Sequence, residues 1–119
     1  MMEGLSGEAA SLAGHLQLSN LCWIYENNHI TIEGHTELAF SEDVATRFIG
    51  YGWNVTRVGD ANDVERLTQA IEIFRRTRDV PTLIIVESHI GYGAPHKHAT
   101  SAAHGEPPGE EASSRATRR

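Results

Sequence analysis

Two continuous apolar runs constrain the fold of this chain most strongly. "NLCWIYE" occupies residues 20–26 and "TLIIVES" occupies residues 82–88. Each run is short and contains aliphatic, β-branched or aromatic residues without polar interruption until its end. Continuous apolar runs of this length are typical of strands that are covered on both faces, as in a parallel sheet between helices. Each run therefore predicts a buried β-strand.

Helix signals lie before and between these two runs. Ser6 is placed to cap a helix that runs to Leu16, within which apolar residues recur at helical spacing. Residues 41–43, "SED", begin a second helix, and Gly50 or Gly52 ends it. Two amphipathic helices are therefore expected in the first half of the chain.

The middle of the chain continues this pattern. Asn62, with Glu65 three residues later, forms an Asn-type capping box for a helix that runs to about Arg78. "WNVTRV" at residues 53–58 alternates and predicts a strand, while "HITIEG" at residues 29–34 predicts a shorter extended piece. Helices and strands thus alternate, which predicts an α/β fold with βαβ units and a parallel sheet.

Length and charge narrow the classes of function. The chain has 119 residues, enough for one small domain or part of a larger one. Its net charge of −6 argues against a nucleic-acid-binding module, because phosphate contacts need clustered basic residues. No uninterrupted apolar run approaches the roughly 20 residues that span a bilayer. We therefore expect a cytoplasmic protein with no membrane or nucleic-acid partner.

The two ends of the sequence differ from the middle. The start enters a helix signature with no strand ahead of it, which predicts a truncated chain. From His89 onward, prolines and glycines are frequent and no periodic apolar face remains. This part predicts a long loop and tail, and loops of such length are usually functional or disordered.

The pair Asn27 and Asn28 ends the first apolar run and precedes "HITIEG". A type I′ hairpin turn would favour Asn-Gly or Asp-Gly, because both central residues need positive φ. This pair lacks the glycine. It is therefore either an ordinary loop or two amides that are placed for their oxygen atoms.

Longer segments of the sequence resemble those of a known protein family. "MEGLSGEAASLAGHLQLSNLCWIYENNHITIEGHTELAFSEDVATRFIGYGWNVTRV" is followed in order by "IGYGAP", "AAHGEPPGEE" and "RATRR". Together they resemble, nearly residue for residue, the thiamin-diphosphate-binding segment of transketolases. The resemblance implies a parallel-sheet thiamin-diphosphate-binding fold with helices on both faces of the sheet, present as a partial domain. Residues 1–88 would form the C-terminal portion of this domain, and residues 89–119 its active-site loop and tail.

The resemblance also implies a metal site that holds the cofactor diphosphate. In the family, the ligands are an acidic side chain from "GDG", an asparagine side chain and the main-chain carbonyl two residues later. By motif, the asparagine is Asn28 and the carbonyl belongs to Ile30, while Asn27 supports the loop. Such hard, mostly neutral oxygens suit Mg²⁺ or Ca²⁺. The "GDG" triplet is expected immediately before Met1, so its acidic ligand is not in this sequence.

His104 in "AAHGEP" matches the transketolase histidine that contacts both the cofactor diphosphate and the sugar substrate. The resemblance thus implies a catalytic, cofactor-binding and substrate-binding role, which suits a side chain that titrates near neutral pH. Glu3 and Glu8 match glutamates near the dimer interface and its cofactors, or else they stabilise the start of the helix. Alternatively, His104 is a solvated loop residue, or it forms a zinc or nickel cluster with His96 and His98.

The activity that the resemblance implies is transfer of a two-carbon ketol unit from a ketose phosphate to an aldose phosphate, in the pentose phosphate pathway. Sugar phosphates would be the substrates, and the protein would be a homodimer or associate with the missing remainder of the enzyme. Without "GDG" and a pyrimidine-binding domain, we expect the isolated chain to be inactive and to bind thiamin diphosphate and Mg²⁺ weakly. Alternatives are an inert fragment, a non-enzymatic α/β association module, or a related enzyme such as dihydroxyacetone synthase.

Overall fold

The computed structural model describes residues 4–94 and 96–105. Its contacts divide the chain into two compact units. The first comprises the chain up to Asn27 together with Glu42–Ser88, and the second comprises Asn28–Ser41 together with the chain from His89. The assignment of residues 1–88 and 89–119 to two parts of one cofactor domain stays a prediction.

The first unit contains a parallel three-stranded sheet. Its strands are β1 (Cys22–Asn27), β4 (Asn54–Val58) and β5 (Thr82–Glu87). The spatial order is β1-β5-β4, with β5 in the centre and parallel to both neighbours. Helices alternate with these strands along the chain: α1 (Gly4–His15), α2 (Val44–Gly50) and α3 (Val64–Arg76). The predicted α/β class and parallel sheet are therefore confirmed.

One face of this sheet packs against α3. Because side chains alternate along a strand, Ile84 and Val86 of β5 point to the same face, as does Val58 of β4. They form a buried cluster with Ala70 of α3, and Leu67 packs beside it. Burial of these apolar side chains holds α3 to the sheet.

The opposite face packs against α2 and α1. Trp23 of β1 faces this side, and its ring centroid lies 6.0 Å from that of Phe48 in α2 and 5.1 Å from that of Trp53. The Trp53 indole Nε1 donates a 2.8 Å hydrogen bond to the carbonyl oxygen of Ala10 in α1. Helices therefore cover both faces of the sheet, as predicted.

The two predicted buried strands differ in burial. Thr82 to Val86 of β5 are all buried, whereas β1 alternates partly buried with exposed positions. Ile24, which faces the α3 side, is 62% exposed. The prediction that β1 is covered on both faces is wrong for the described residues, because β1 lies at the edge of the sheet, where Cys22 still packs against the cluster beside α3 but Ile24 stays exposed.

Helix boundaries depart from the predictions in detail. Ser6 lies inside α1, which begins at Gly4, so it is not the cap of that helix. The capping residue of α3 is Asp63, whose carboxylate accepts a 2.9 Å hydrogen bond from the Arg66 N–H. The predicted cap Asn62 instead donates its side-chain and backbone N–H groups to Asp60. None of the helices in residues 4–94 and 96–105 is long and apolar enough to cross a membrane.

The second unit contains a small antiparallel ladder. Strand β2 (Ile30–Thr31) pairs with β3 (Gly34–His35), and Thr31 Oγ1 donates a 3.0 Å hydrogen bond to the carbonyl of Gly34. "HITIEG" is therefore a tight turn between two short strands rather than one extended piece. The reversal uses Gly34, whose φ of 148° is unfavourable for other residues. Two 3₁₀ turns, Thr36–Leu38 and Ser101–Ala103, complete the unit.

Candidate functional site

The predicted cation ligands Asn28 and Ile30 follow strand β1 directly in the sequence. Strand β1 ends at Asn27 and β5 ends at Glu87, and these two residues are register partners. In open α/β sheets, ligands bind outside the carboxyl ends of the strands. The two segments of the second unit follow directly on β1 and β5 in the sequence. Polar groups that follow these strands are therefore the first candidates for a ligand site.

Asn28 adopts a fixed conformation just after β1. Its side-chain Oδ1 accepts a 3.0 Å hydrogen bond from the backbone N–H of Ile30. This Asx-type turn is accompanied by a left-handed backbone at His29, whose φ is 60°. The turn orients the carboxamide oxygen, which has a second lone pair that can bind a cation.

The register of the β2–β3 ladder sets the direction of the Ile30 carbonyl. The Thr36 N–H donates a 2.9 Å hydrogen bond to the carbonyl of His29, so that pair is a hydrogen-bonded position of the β2–β3 ladder. Hydrogen-bonded and non-hydrogen-bonded pairs alternate in antiparallel ladders, and Ile30 opposite His35 is therefore non-hydrogen-bonded. The N–H of Ile30 goes to Asn28, and its carbonyl points away from β3.

These two groups fit a hard cation. Both are neutral oxygens, and the turn that joins them leaves each with coordinating capacity. Mg²⁺ prefers oxygen ligands in a rigid geometry and is commonly shared with substrate phosphates. The chemistry of the donors therefore suits a cation that also binds a diphosphate.

A polar network lies at the end of β1, in the first unit. The Asn27 Nδ2 donates to both carboxylate oxygens of Glu87, each at 3.0 Å. The Tyr25 hydroxyl donates a 3.3 Å hydrogen bond to the Asn27 Oδ1. Burial raises the pKa of the Tyr25 hydroxyl, and the Glu87 carboxylate raises it further, while Arg47 lowers it.

Sequence reasoning missed Glu87. Its signal was present, because Glu87 ends the apolar run of β5 just as Asn27 ends that of β1. What was lacking was the knowledge that β1 and β5 are neighbours in this register. Polar residues at the carboxyl ends of adjacent parallel strands are placed side by side.

His104 follows the 3₁₀ turn Ser101–Ala103 in the second unit. Its backbone N–H donates a 2.9 Å hydrogen bond to the carbonyl of Ser101, and the residue is exposed to solvent. The imidazole can therefore reach an external ligand without displacing packed groups. Glu3, the other predicted cofactor-binding residue, lies outside the described residues.

The alternative histidine cluster is wrong. In residues 4–94 and 96–105, no three histidine, cysteine, aspartate or glutamate side chains come together in a group that could hold a metal ion. His98 instead packs against His89, with ring centroids 5.3 Å apart, and against Tyr92 at 5.9 Å. The structure thus does not join His98 with His96 and His104 as ligands of one metal.

The parallel sheet with helices on both faces defines an α/β protein, and the turn that follows β1 in the sequence carries oxygen donors at Asn28 and Ile30. Within that class, the sequence matches the family described as "Transketolase, thiamine diphosphate binding domain" over residues 1–119. The chain belongs to this family.

Individual relatives agree. A transketolase of Geobacillus stearothermophilus is 50% identical over 111 residues, which cover 93% of this chain and 17% of that protein. The solved transketolase of Campylobacter jejuni superposes with a TM-score of 0.91 at 39% identity, covering 98% of this chain and 18% of that one. A Pichia stipitis transketolase solved in complex with sedoheptulose-7-phosphate gives a TM-score of 0.86 at 44% identity, covering 89% and 16%. The chain therefore spans about a sixth of the length of these relatives.

Proposed function

We propose that this chain forms part of the thiamin-diphosphate and cation site of an enzyme that transfers a two-carbon ketol unit from a ketose phosphate to an aldose phosphate. The observation that carries the proposal is the family match over residues 1–119, joined to the oxygen donors of the turn that follows β1 in the sequence. The Pichia stipitis relative binds a ketose phosphate, which supports this substrate class.

The cation in this proposal is Mg²⁺, with Ca²⁺ as the substitute. Asn28 Oδ1 and the carbonyl of Ile30 would hold it. Because a diphosphate already brings negative charge, the protein need add little more and must mainly fix the positions of its ligands. The Asx turn supports this assignment, since it restrains Asn28 relative to Ile30 before any ligand binds.

Thiamin diphosphate, when bound, supplies the carbanion stabilisation that two-carbon transfer requires. The contribution of His104 would be to bind the diphosphate and the sugar by hydrogen bonds and to hold or release a proton at its imidazole. Its exposure supports this role. Glu3 would act near the cofactor at an interface between subunits.

The remaining parts of the proposal concern the setting of the enzyme. We infer a homodimer, or an assembly with further parts of the enzyme, that works on sugar phosphates of the pentose phosphate pathway in the cytoplasm. These assignments rest on membership of the transketolase family. Analytical ultracentrifugation with and without thiamin diphosphate and Mg²⁺ tests the assembly, and a monomer under both conditions contradicts it.

The cation ligands can be tested by NMR titration of the ¹⁵N-labelled chain with thiamin diphosphate and Mg²⁺, which detects even millimolar binding. We expect Mg²⁺-dependent shifts at the amides of Asn28 and Ile30. Asn28→Leu removes the oxygen and should weaken binding at least about tenfold, as for lost metal-site groups. Asn28→Asp keeps an oxygen ligand and should retain binding.

The matched control is Asn20→Leu, which alters an exposed asparagine before β1. It should bind cofactor as the wild type does. The proposal fails if cofactor and Mg²⁺ at millimolar concentration leave Asn28 and Ile30 unshifted, or if Asn28→Leu binds as tightly as Asn20→Leu.

The role of His104 can be tested in the enzyme as the cell makes it, with sedoheptulose-7-phosphate as donor and an aldose phosphate as acceptor. His104→Ala should lower kcat/KM by about a hundredfold, the usual contribution of a positioned acid–base group. His98→Ala, a change in the same unit, should lower it less than about threefold. Equal losses in both variants would refute the role of His104, and no transfer by the wild type would refute the assigned activity.

A further inference from the structure

The end of β1 is tied to the end of β5 through side chains and backbone. Asn27 and Glu87 are register partners, and the Asn27 amide donates to both Glu87 oxygens at 3.0 Å. The Ser88 N–H donates a 3.2 Å hydrogen bond to the Asn27 carbonyl. Ser88 Oγ also donates to Glu26 Oε1 at 2.8 Å. Glu26 and Asn27, the last two residues of β1, are thus hydrogen-bonded to Glu87 and Ser88 at the end of β5.

Both ends of the Asn27 carboxamide have a defined partner. Its Nδ2 is the donor to Glu87, and its Oδ1 is the acceptor from the Tyr25 hydroxyl. A carboxylate such as Glu87 accepts hydrogen bonds but cannot donate them when ionised. The group that faces Glu87 from position 27 must therefore be a donor.

Charge sharpens this requirement. All three side chains are partly buried, so interactions between their charges are screened less than at an exposed surface. The Glu87 charge is felt at the Tyr25 hydroxyl, whose pKa it raises in addition to the effect of burial. A second carboxylate at position 27 would face Glu87 at about the same 3.0 Å. Its ionisation would cost free energy, because two like charges would then be adjacent.

We propose that Glu87 is a positioning residue for the cation ligands: it anchors Asn27 and so fixes the start of the turn that presents Asn28 and Ile30. This inference rests on the proposed function for its benefit to cofactor binding. Asn28 follows Asn27 directly, so displacement of the Asn27 backbone is passed to the Asx turn through one peptide bond. The turn itself is closed by the Ile30 N–H.

The test uses charge reversal at this pair in the full chain. Asn27→Asp should accelerate hydrogen exchange of the Ile30 amide at least tenfold, without any ligand present. The double variant Asn27→Asp/Glu87→Lys restores an attractive pair and should bring exchange back to within threefold of the wild type.

Two single variants complete the comparison. Glu87→Gln keeps an acceptor and should change Ile30 exchange less than threefold. Glu26→Gln alters a neighbouring carboxylate that accepts a hydrogen bond from Ser88 Oγ, and it should change Ile30 exchange less than threefold. The proposal is overturned if Asn27→Asp exchanges like the wild type, or if Glu87→Lys fails to rescue it.

Cofactor titration of the same variants separates this proposal from the proposed function. Asn27→Asp should weaken Mg²⁺-dependent thiamin diphosphate binding at least tenfold, with rescue by Glu87→Lys. Absence of Mg²⁺-dependent binding in the wild type would refute the proposed function, while the exchange measurement still decides whether Glu87 positions the turn. Wild-type binding with an unaffected Asn27→Asp variant would refute only the role of Glu87.

Discussion

Strands β5 and β1 are neighbours in one parallel sheet, and both come from continuous apolar runs, but they differ in how they are covered. In β5, residues Thr82 to Val86 are all buried, because α3 packs on one face and α1 and α2 lie on the other. In β1, Trp23 contacts the rings of Phe48 and Trp53, while Ile24 on the α3 side stays 62% exposed. An apolar run thus predicts a strand, whereas the number of covered faces depends on the strand's place in the sheet.

The sharpest test compares Ile24 with Ile84, which are register partners on the same face and are 62% and 1% exposed. Ile84→Ala should lower the free energy of unfolding by about 2–5 kcal/mol, because it leaves a cavity beside α3. Ile24→Ala should cost less than about 1 kcal/mol, the range of strand propensity. Urea unfolding followed by circular dichroism measures both. Equal losses would mean that Ile24 is covered in solution.

A second test disturbs the helices on the other face of β5. A Cβ on Gly14 of α1 would lie 1.9 Å from the carbonyl oxygen of Tyr51, so Gly14→Ala forces the two backbones apart. We expect a loss of about 1–3 kcal/mol, as for overpacked cores. Gly50→Ala is the control, because a Cβ there meets no atom within 4 Å. Thermal unfolding should separate the two, and an unchanged midpoint for Gly14→Ala would contradict the close packing.

A third test concerns the helix that covers β5 but not the exposed part of β1. Asp63→Ala removes the side chain that caps α3 and should cost about 1 kcal/mol. Asn62→Ala, one residue earlier, should change stability by less than about 0.5 kcal/mol. Chemical unfolding of both variants decides between them. A larger loss of stability for Asn62→Ala than for Asp63→Ala would show that Asn62 caps α3, as the sequence predicts.

The smallest effect is one of thiol reactivity along β1. Burial raises the pKa of the Cys22 thiol, so its reactive thiolate fraction at pH 8 is lower than that of an exposed cysteine. We expect Cys22 to react with a disulfide reagent about tenfold more slowly than Ile24→Cys in a Cys22→Ala background. Its rate should also continue to rise at higher pH. Equal rates would show that the cover of this face ends before Cys22.

Local sequence was a good guide to the type of each element. The apolar runs identified β1 and β5, and "WNVTRV" identified β4, because periodicity and β-branched residues act within a few positions. Boundaries were less secure: Asp63 caps α3 in place of Asn62, since neighbouring acceptors compete for the same N–H groups. The "HITIEG" segment was misread, because a short antiparallel ladder of two pairs has no periodic signal.

In the candidate site, too, some residues could be identified from the sequence and others only from the structure. Asn28, Ile30 and His104 were identified through family resemblance, and their roles as ligands and catalyst stay proposals. The link between Asn27 and Glu87 could not be predicted, because these residues lie 60 positions apart and meet only through strand pairing.

The sequence by itself determined the alternation of helices and strands, and it contains the transketolase-like motif around Asn28. These properties are written in residues that are close together along the chain. Only the tertiary structure decided that β5 is central and β1 lies at the edge, and that Glu87 faces the Asn27 amide. The physical reason is that strand order and register follow from the joint burial of segments that are distant in the sequence. No single segment carries the information that fixes this arrangement.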